Sequence, residues 1–222
     1  PMQPPPTSAA PSKTPPPSRA GSRPRDGVLL INLGTPDAPR APEVRRYLRE
    51  FLSDPRVIDI PALPRFLLVN GIIAPFRAPR SAAAYRTIWG PQGSPLLTNG
   101  RALEAALQQR LGDRPVALGM RYGQPSLASA LERLLERGVE RVLAVPLYPQ
   151  YASSSTGSSV ERLYRLASER WNTPWIEVLP PFFDAPEFLD AAAELARPVL
   201  ARLEPDHVLL SYHGLPERHI RK

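Results

Sequence analysis

The chain has no cysteine among its 222 residues. That excludes disulfides, thiolate metal sites and cysteine nucleophiles within it, and leaves no ligands for an iron–sulfur cluster. No apolar run reaches the roughly 18 residues that a membrane-spanning helix needs. Histidine is scarce, at three copies, and aromatics make up 7% of the chain. A lone histidine cannot build a structural metal site, which takes about four ligands. No G-x-G-x-x-G follows the first apolar run, and Walker A, G-x-S-x-G and H-E-x-x-H are missing too. The dinucleotide, P-loop, hydrolase and zincin chemistries therefore lack their signatures.

Acid is also missing from the first 25 residues, which hold nine of the thirty prolines and almost no large apolar side chain. Such a stretch cannot bury a core, so residues 1–25 are expected to be a disordered Pro-rich tail. It carries Lys13, Arg19, Arg23 and Arg25, four of the net charge of +7, which leaves the rest nearly balanced. The remaining basicity argues weakly for an anionic ligand. It does not argue for nucleic acid, because no Lys/Arg run is interleaved with aromatics. The tail lacks the apolar stretch of a secretory signal. It is Arg- and Ser-rich like a transit peptide but has no amphipathic Leu/Phe pattern. The expected location is cytoplasmic, with organelle targeting as the lesser alternative.

What is present after residue 26 is an alternation. GVLLINLG (27–34), VALGMRY (116–122), RVLAVPLY (141–148), WIEVLP (175–180) and HVLLSY (207–212) are short apolar runs that read as buried strands. Between them lie helical spacings: Val44, Tyr47, Leu48, Phe51 and Leu52 up to a stop at Asp54-Pro55, and Leu103, Ala106, Leu107 and Leu111 up to Gly112. QPSLASALERLLERG (124–138) is the clearest helix, and Val160–Trp171 and Pro186–Leu203 follow. Residues 61–90 are broken by prolines and suggest two short helices. Buried strands alternating with amphipathic helices predict an α/β fold, a Rossmann-like, doubly wound parallel sheet covered on both faces.

VLLINLGTP (28–36) and VLLSYHGLP (208–216) align without a gap and share five of nine residues. Read as a repeat, this makes 26–205 a first Rossmann-like domain. Residues 206–222 then begin a second domain of the same kind, of which the chain holds the first strand.

Ligands of open parallel sheets bind outside the carboxyl ends of the strands. There the chain places Leu33-Gly34-Thr35-Pro36, Arg121-Tyr122-Gly123, the stretch from Tyr148 to Gly157, and His213-Gly214. The glycine turns let backbone approach a ligand, Arg121 offers a carboxylate fork, and Ser153, Ser154, Ser155 and Thr156 offer hydroxyls and amides to an anion. Each has a plainer reading. The serine run also suits a loop with a helix cap, Arg121 could pair with a nearby acid, and Tyr148 and Tyr151 could be packing residues. His207 and His219 read as structural and surface residues. His213, at a strand end, can accept a proton or ligate a metal near neutral pH, or be structural.

Five motifs, NLGTP (32–36), YRTIWGPQGSPLL (85–97), MRYGQPS (120–126), PLYPQYASSSTGSS (146–159) and SYHGLPERHIRK (211–222), together resemble the ferrochelatase family from about residue 27 onward. The resemblance implies two similar Rossmann-like domains with a porphyrin in the cleft between them. It implies ferrous iron as substrate metal, protoporphyrin IX as the expected macrocycle, and peripheral membrane contact as an added expectation for so poorly soluble a ligand. It places the family's histidine at His213, as metal ligand or proton acceptor. Leu33 and Gly34 fall against the macrocycle, Arg121 and Tyr122 line the pocket, and Tyr151, Ser153, Ser154, Ser155 and Thr156 border the porphyrin. The family's partner glutamate falls beyond residue 222, so this stretch alone is expected to be inactive. A cobalt-inserting chelatase and a non-catalytic haem carrier are the alternatives.

Overall fold

Val28-Leu29-Leu30-Ile31 is apolar on both sides of the pleat, which suits a strand with helices above and below. In the computed structural model, which describes residues 25–221, this run lies in β1 (Asp26–Thr35), the second of four parallel strands. Its neighbours are β2 (Val116–Gly123) and β3 (Arg141–Pro146), and β3 pairs in turn with β4 (Trp175–Val178). The order is β2-β1-β3-β4. The expected Pro-rich tail lies, except for Arg25, outside the described residues.

Alternate side chains of the sheet feed two cores. Leu29, Ile31, Ala117, Val142 and Ala144 are buried under α5 (Leu127–Glu136) and α6 (Ser158–Ser168), whose Leu131, Leu134 and Leu163 complete that layer. Val28, Leu30, Leu118 and Met120 face the other way, where Leu97, Leu107 and Leu111 of α4 (Pro95–Leu111) cover them. A third cluster closes the carboxyl end of the sheet. It joins Val44, Tyr47 and Leu48 of α1 (Ala41–Leu52) to Ala78 and Ala82 of α3 (Ala74–Ile88) and to Tyr122.

Two stretches differ from the sequence reading. Residues 61–90 form α2 (Ala62–Leu67), a π-helical segment (Leu68–Ile73) and then a single α3 that continues through Pro79. Ala78 and Ala82 are fully buried on either side of that proline, so packing against α1 holds the helix where the sequence suggests a break. The second difference is at 207–212, expected to be a strand. After α7 (Pro186–Leu203), residues 204–216 form neither strand nor helix, and the short α8 (Glu217–Arg221) follows. A strand needs a hydrogen-bonding neighbour, and this segment pairs with none of the four; Leu209 is 92% exposed. Among the described residues no helix is long and apolar enough to cross a membrane.

Candidate functional site at the carboxyl edge of the sheet

The chain leaves β1 for β2 on one side and returns to β3 on the other, so the loops after β1 and β3 diverge. In sheets of this order, ligands bind at that divergence. Its floor is tightly built. A Cβ at Gly34 (φ +111°) would lie 1.8 Å from the Tyr122 carbonyl oxygen, and one at Gly123 (φ +80°) would lie 2.7 Å from that of Thr35. Both glycines therefore serve the approach of β1 to β2, whereas the sequence reading gave Gly34 to a ligand. Around Gly214 a Cβ would meet nothing within 4 Å. The Tyr47 hydroxyl donates to the Gly34 carbonyl at 3.2 Å, and half-buried Leu33 packs against the same α1/α3 cluster.

Asp54, just past α1, organises the next layer. Its side chain is 4% exposed. Its Oδ2 accepts from Arg121 Nη2 at 2.5 Å, Ser158 Oγ at 2.6 Å and the Tyr122 hydroxyl at 2.9 Å, and its Oδ1 accepts from the Arg56 amide at 2.7 Å. Arg121 Nε also donates to Ser158 Oγ at 2.7 Å, and its guanidinium carbon lies 4.4 Å from the centroid of the Tyr122 ring. Burial acts to raise the Asp54 carboxyl, but the bonds from Ser158, Arg56 and Tyr122 and the Arg121 charge hold it below the usual range. Burial pushes the Tyr122 phenol well above its ordinary value. The Arg121-Tyr122 pair, expected to line a pocket, is thus held inside the protein with its polar groups engaged by Asp54. The plainer reading of Arg121, as partner of a nearby acid, describes this geometry.

The loop after β3 turns through a π-helical Ser153–Gly157 segment before α6 begins. Ser155 and Gly157 amides both donate to the Ala152 carbonyl, at 3.2 and 3.1 Å. Ser153 Oγ accepts from Arg56 Nη1 at 3.0 Å, and Ser154 and Ser155 are half-buried. Tyr151 is largely exposed, with its hydroxyl 3.1 Å from where a Gly157 Cβ would stand. The Tyr148 phenol is pushed up to about 12 by burial, eased by its bond to Ser159 Oγ at 3.2 Å and by the Arg121 charge. Thr35 and Thr156 are buried, and their hydroxyls have no partner among the described residues.

His213 stands apart from this assembly. Its ring is exposed, with Nδ1 2.7 Å from the Gly214 carbonyl oxygen. Four residues after Gly214, Arg218 Nε lies 3.8 Å from Asp59 Oδ2, which ties α8 to the loop that carries Asp54 and Arg56. His207 is exposed and His219 half-buried. Among the described residues no three His, Cys, Asp or Glu side chains group closely enough to hold a metal ion. Asp54, Arg56, Ser158 and Glu161 were not singled out from sequence. Asp54-Pro55 carries the signature of a helix stop, and no spacing ties it to a serine a hundred residues away.

The family model described as ferrochelatase matches residues 25–222. The chain belongs to the ferrochelatase family. Three ferrochelatases of Coxiella burnetii, from strains Dugway 5J108-111, CbuK_Q154 and RSA 493, are each 49% identical to it over 197 residues. That alignment covers 88% of this chain and 54% of each relative, so the chain spans about half the length of the curated relatives it matches. The ferrochelatase match takes in all four strands, the Ser153–Gly157 turn and His213.

Proposed function

We propose that the protein inserts ferrous iron into a porphyrin, protoporphyrin IX, as a lyase-class chelatase, and that residues 25–221 supply one wall of its site. The observation that carries this reading is convergence. NLGTP lies at the end of β1, MRYG ends β2 and PLYPQYASSSTGSS follows β3, while Tyr85 of YRTIWGPQGSPLL packs edge-on to Tyr47, which bonds Gly34. Four stretches scattered from residue 32 to 159 thus meet at one edge of the sheet. Their pairing with family membership favours a flat macrocycle there, bordered by Leu33, Tyr151 and the Ser153–Thr156 turn.

Insertion exchanges two pyrrole N–H protons for one Fe(II), with no change in oxidation state. His213 is the proposed acceptor of a departing proton or ligand of the incoming iron, because a neutral imidazole offers a lone pair near pH 7. Its exposure in this arrangement fits a residue that works at the boundary with a second domain, starting near residue 206. The opposing wall and a partner carboxylate are proposed to come from chain beyond residue 222, and residues 1–222 alone are expected not to turn over.

The test follows loss of porphyrin fluorescence on anaerobic addition of Fe(II) to the full-length protein and to His213→Ala. Turnover by the first, with porphyrin binding but no turnover by the second, supports the proposal. Equal turnover by both removes His213 from the chemistry. Tight haem binding without insertion by either makes the protein a carrier, and insertion of Co(II) alone makes it a chelatase of another metal.

A further inference from the structure

The Ser153–Gly157 turn of the proposed site is held at both ends by side chains from outside its own loop, and residues 54–56 supply an anchor at each end. At the front of the turn, Arg56 Nη1 donates to Ser153 Oγ at 3.0 Å, while its Nε donates to Glu161 Oε2 at 2.6 Å. At the back, Asp54 Oδ2 accepts from Ser158 Oγ at 2.6 Å, and Arg121 donates to the Ser158 carbonyl at 3.2 Å as well as to its hydroxyl. The two anchors are themselves joined, since the Arg56 amide donates to Asp54 Oδ1. The guanidinium also lies beside the last residue of the turn. A Cβ at Gly157 would stand 3.4 Å from Arg56 Nη1 and 3.6 Å from Ser153 Oγ.

The turn needs such support. Within its span, the Ser155 and Gly157 amides share a single acceptor, the Ala152 carbonyl, and the Ser158 amide that closes it is divided between the Ser153 and Ser155 carbonyls; π-helical segments are rare and recur at functional sites. A turn whose few backbone bonds are shared in this way samples other shapes unless neighbours fix it. Asp54 is nine-tenths buried and fully bonded, so its place is set by β2 and α6 and not by solvent.

We propose that Asp54 and Arg56 are positioning residues that brace the Ser153–Gly157 turn at both ends and so fix the shape of the wall presented to the porphyrin. This rests on the function proposed above. Neither residue touches substrate in this role; they act through Ser153 and Ser158. A braced wall is complementary to one macrocycle geometry, whereas a loose wall must be ordered at each binding event and so weakens binding.

The experiment compares full-length wild type with Arg56→Ala, Asp54→Asn and the control Arg170→Ala, which removes an ion pair to Glu132 at the far end of α6. Arg56→Ala is expected to fold, because the side chain is 38% exposed and Glu161 keeps Arg165 at 2.6 Å. Amide hydrogen exchange at Ser155 and Gly157 should quicken about tenfold in Arg56→Ala and Asp54→Asn, with core amides of β1 unchanged in Arg56→Ala. Porphyrin Kd by fluorescence, and KM where turnover is seen, should rise about fivefold in Arg56→Ala while kcat changes less than about twofold. Arg170→Ala should match wild type in each. Unchanged exchange in the turn overturns the brace, and faster exchange with unaltered porphyrin binding overturns its role in shaping the wall. If wild type neither binds porphyrin nor inserts metal, the function fails by itself, and the exchange rates still decide the brace.

Discussion

Asp54 holds four donors on two oxygens at a point where the sequence shows an aspartate before a proline. Removing it leaves the Arg121 guanidinium buried without its counter-charge, so Asp54→Ala should cost about 3 kcal/mol at pH 7 by urea unfolding. The pH dependence follows from the lowered carboxyl. Its ionised form stabilises the fold fully above about pH 4, the ordinary carboxylate value, and that stabilisation is lost as pH falls through the lower folded-state value. Wild type and Asp54→Asn should therefore differ most near neutrality and converge in acid. Gly34 offers a second test at this scale. Its added Cβ would meet backbone and not a movable side chain, so Gly34→Ala should cost more than about 3 kcal/mol or prevent folding. His213 could be picked out from sequence because it ends an apolar run. Asp54 could not, because what it does depends on residues brought near only by the fold.

The elements divide in the same way. Four of the five expected strands form, since apolar runs of that length have no other use once helices cover both faces of the sheet. VLLINLGTP and VLLSYHGLP share five of nine residues, yet the first lies in a largely buried strand of the sheet and the second lies open. Their difference is in neighbours and not in composition, which no local pattern records. α5 shows the opposite case, where Ser126 accepts from the Ser129 amide at 3.1 Å and the cap, the apolar stripe and the helix all agree. Ser126→Ala should lower stability by about 1 kcal/mol, read as a shift in urea midpoint at unchanged slope. In α3, Pro79 misled the sequence reading, because packing of Ala78 and Ala82 outweighs the lost backbone bond.

For the molecule as a whole, the buried residues described lie in the sheet, its covering helices and the connections among them, while α7 and the described residues of 204–221 bury none. A chain ended after Leu203 should therefore melt within about 2 °C of the 222-residue chain by calorimetry. The apolar side chains left open on α7 and at 208–212 should make both forms self-associate as concentration rises. The layered fold was legible in sequence because alternation of period and apolar runs is a global signal. The braced edge was not, because it joins residues 54, 56, 121, 153 and 158 through side-chain bonds alone.

Strand order also sets a timetable. β1 is made first, yet Val28 finds its partners only at Val116 and Leu143. During synthesis its Val-Leu-Leu-Ile run leaves the ribosome long before either neighbour exists, and α1 to α4 emerge in the interval. The nascent chain must keep this strand from foreign edges until β2 and β3 arrive, so its yield in a cell should depend on elongation rate and chaperone supply more than its final stability suggests.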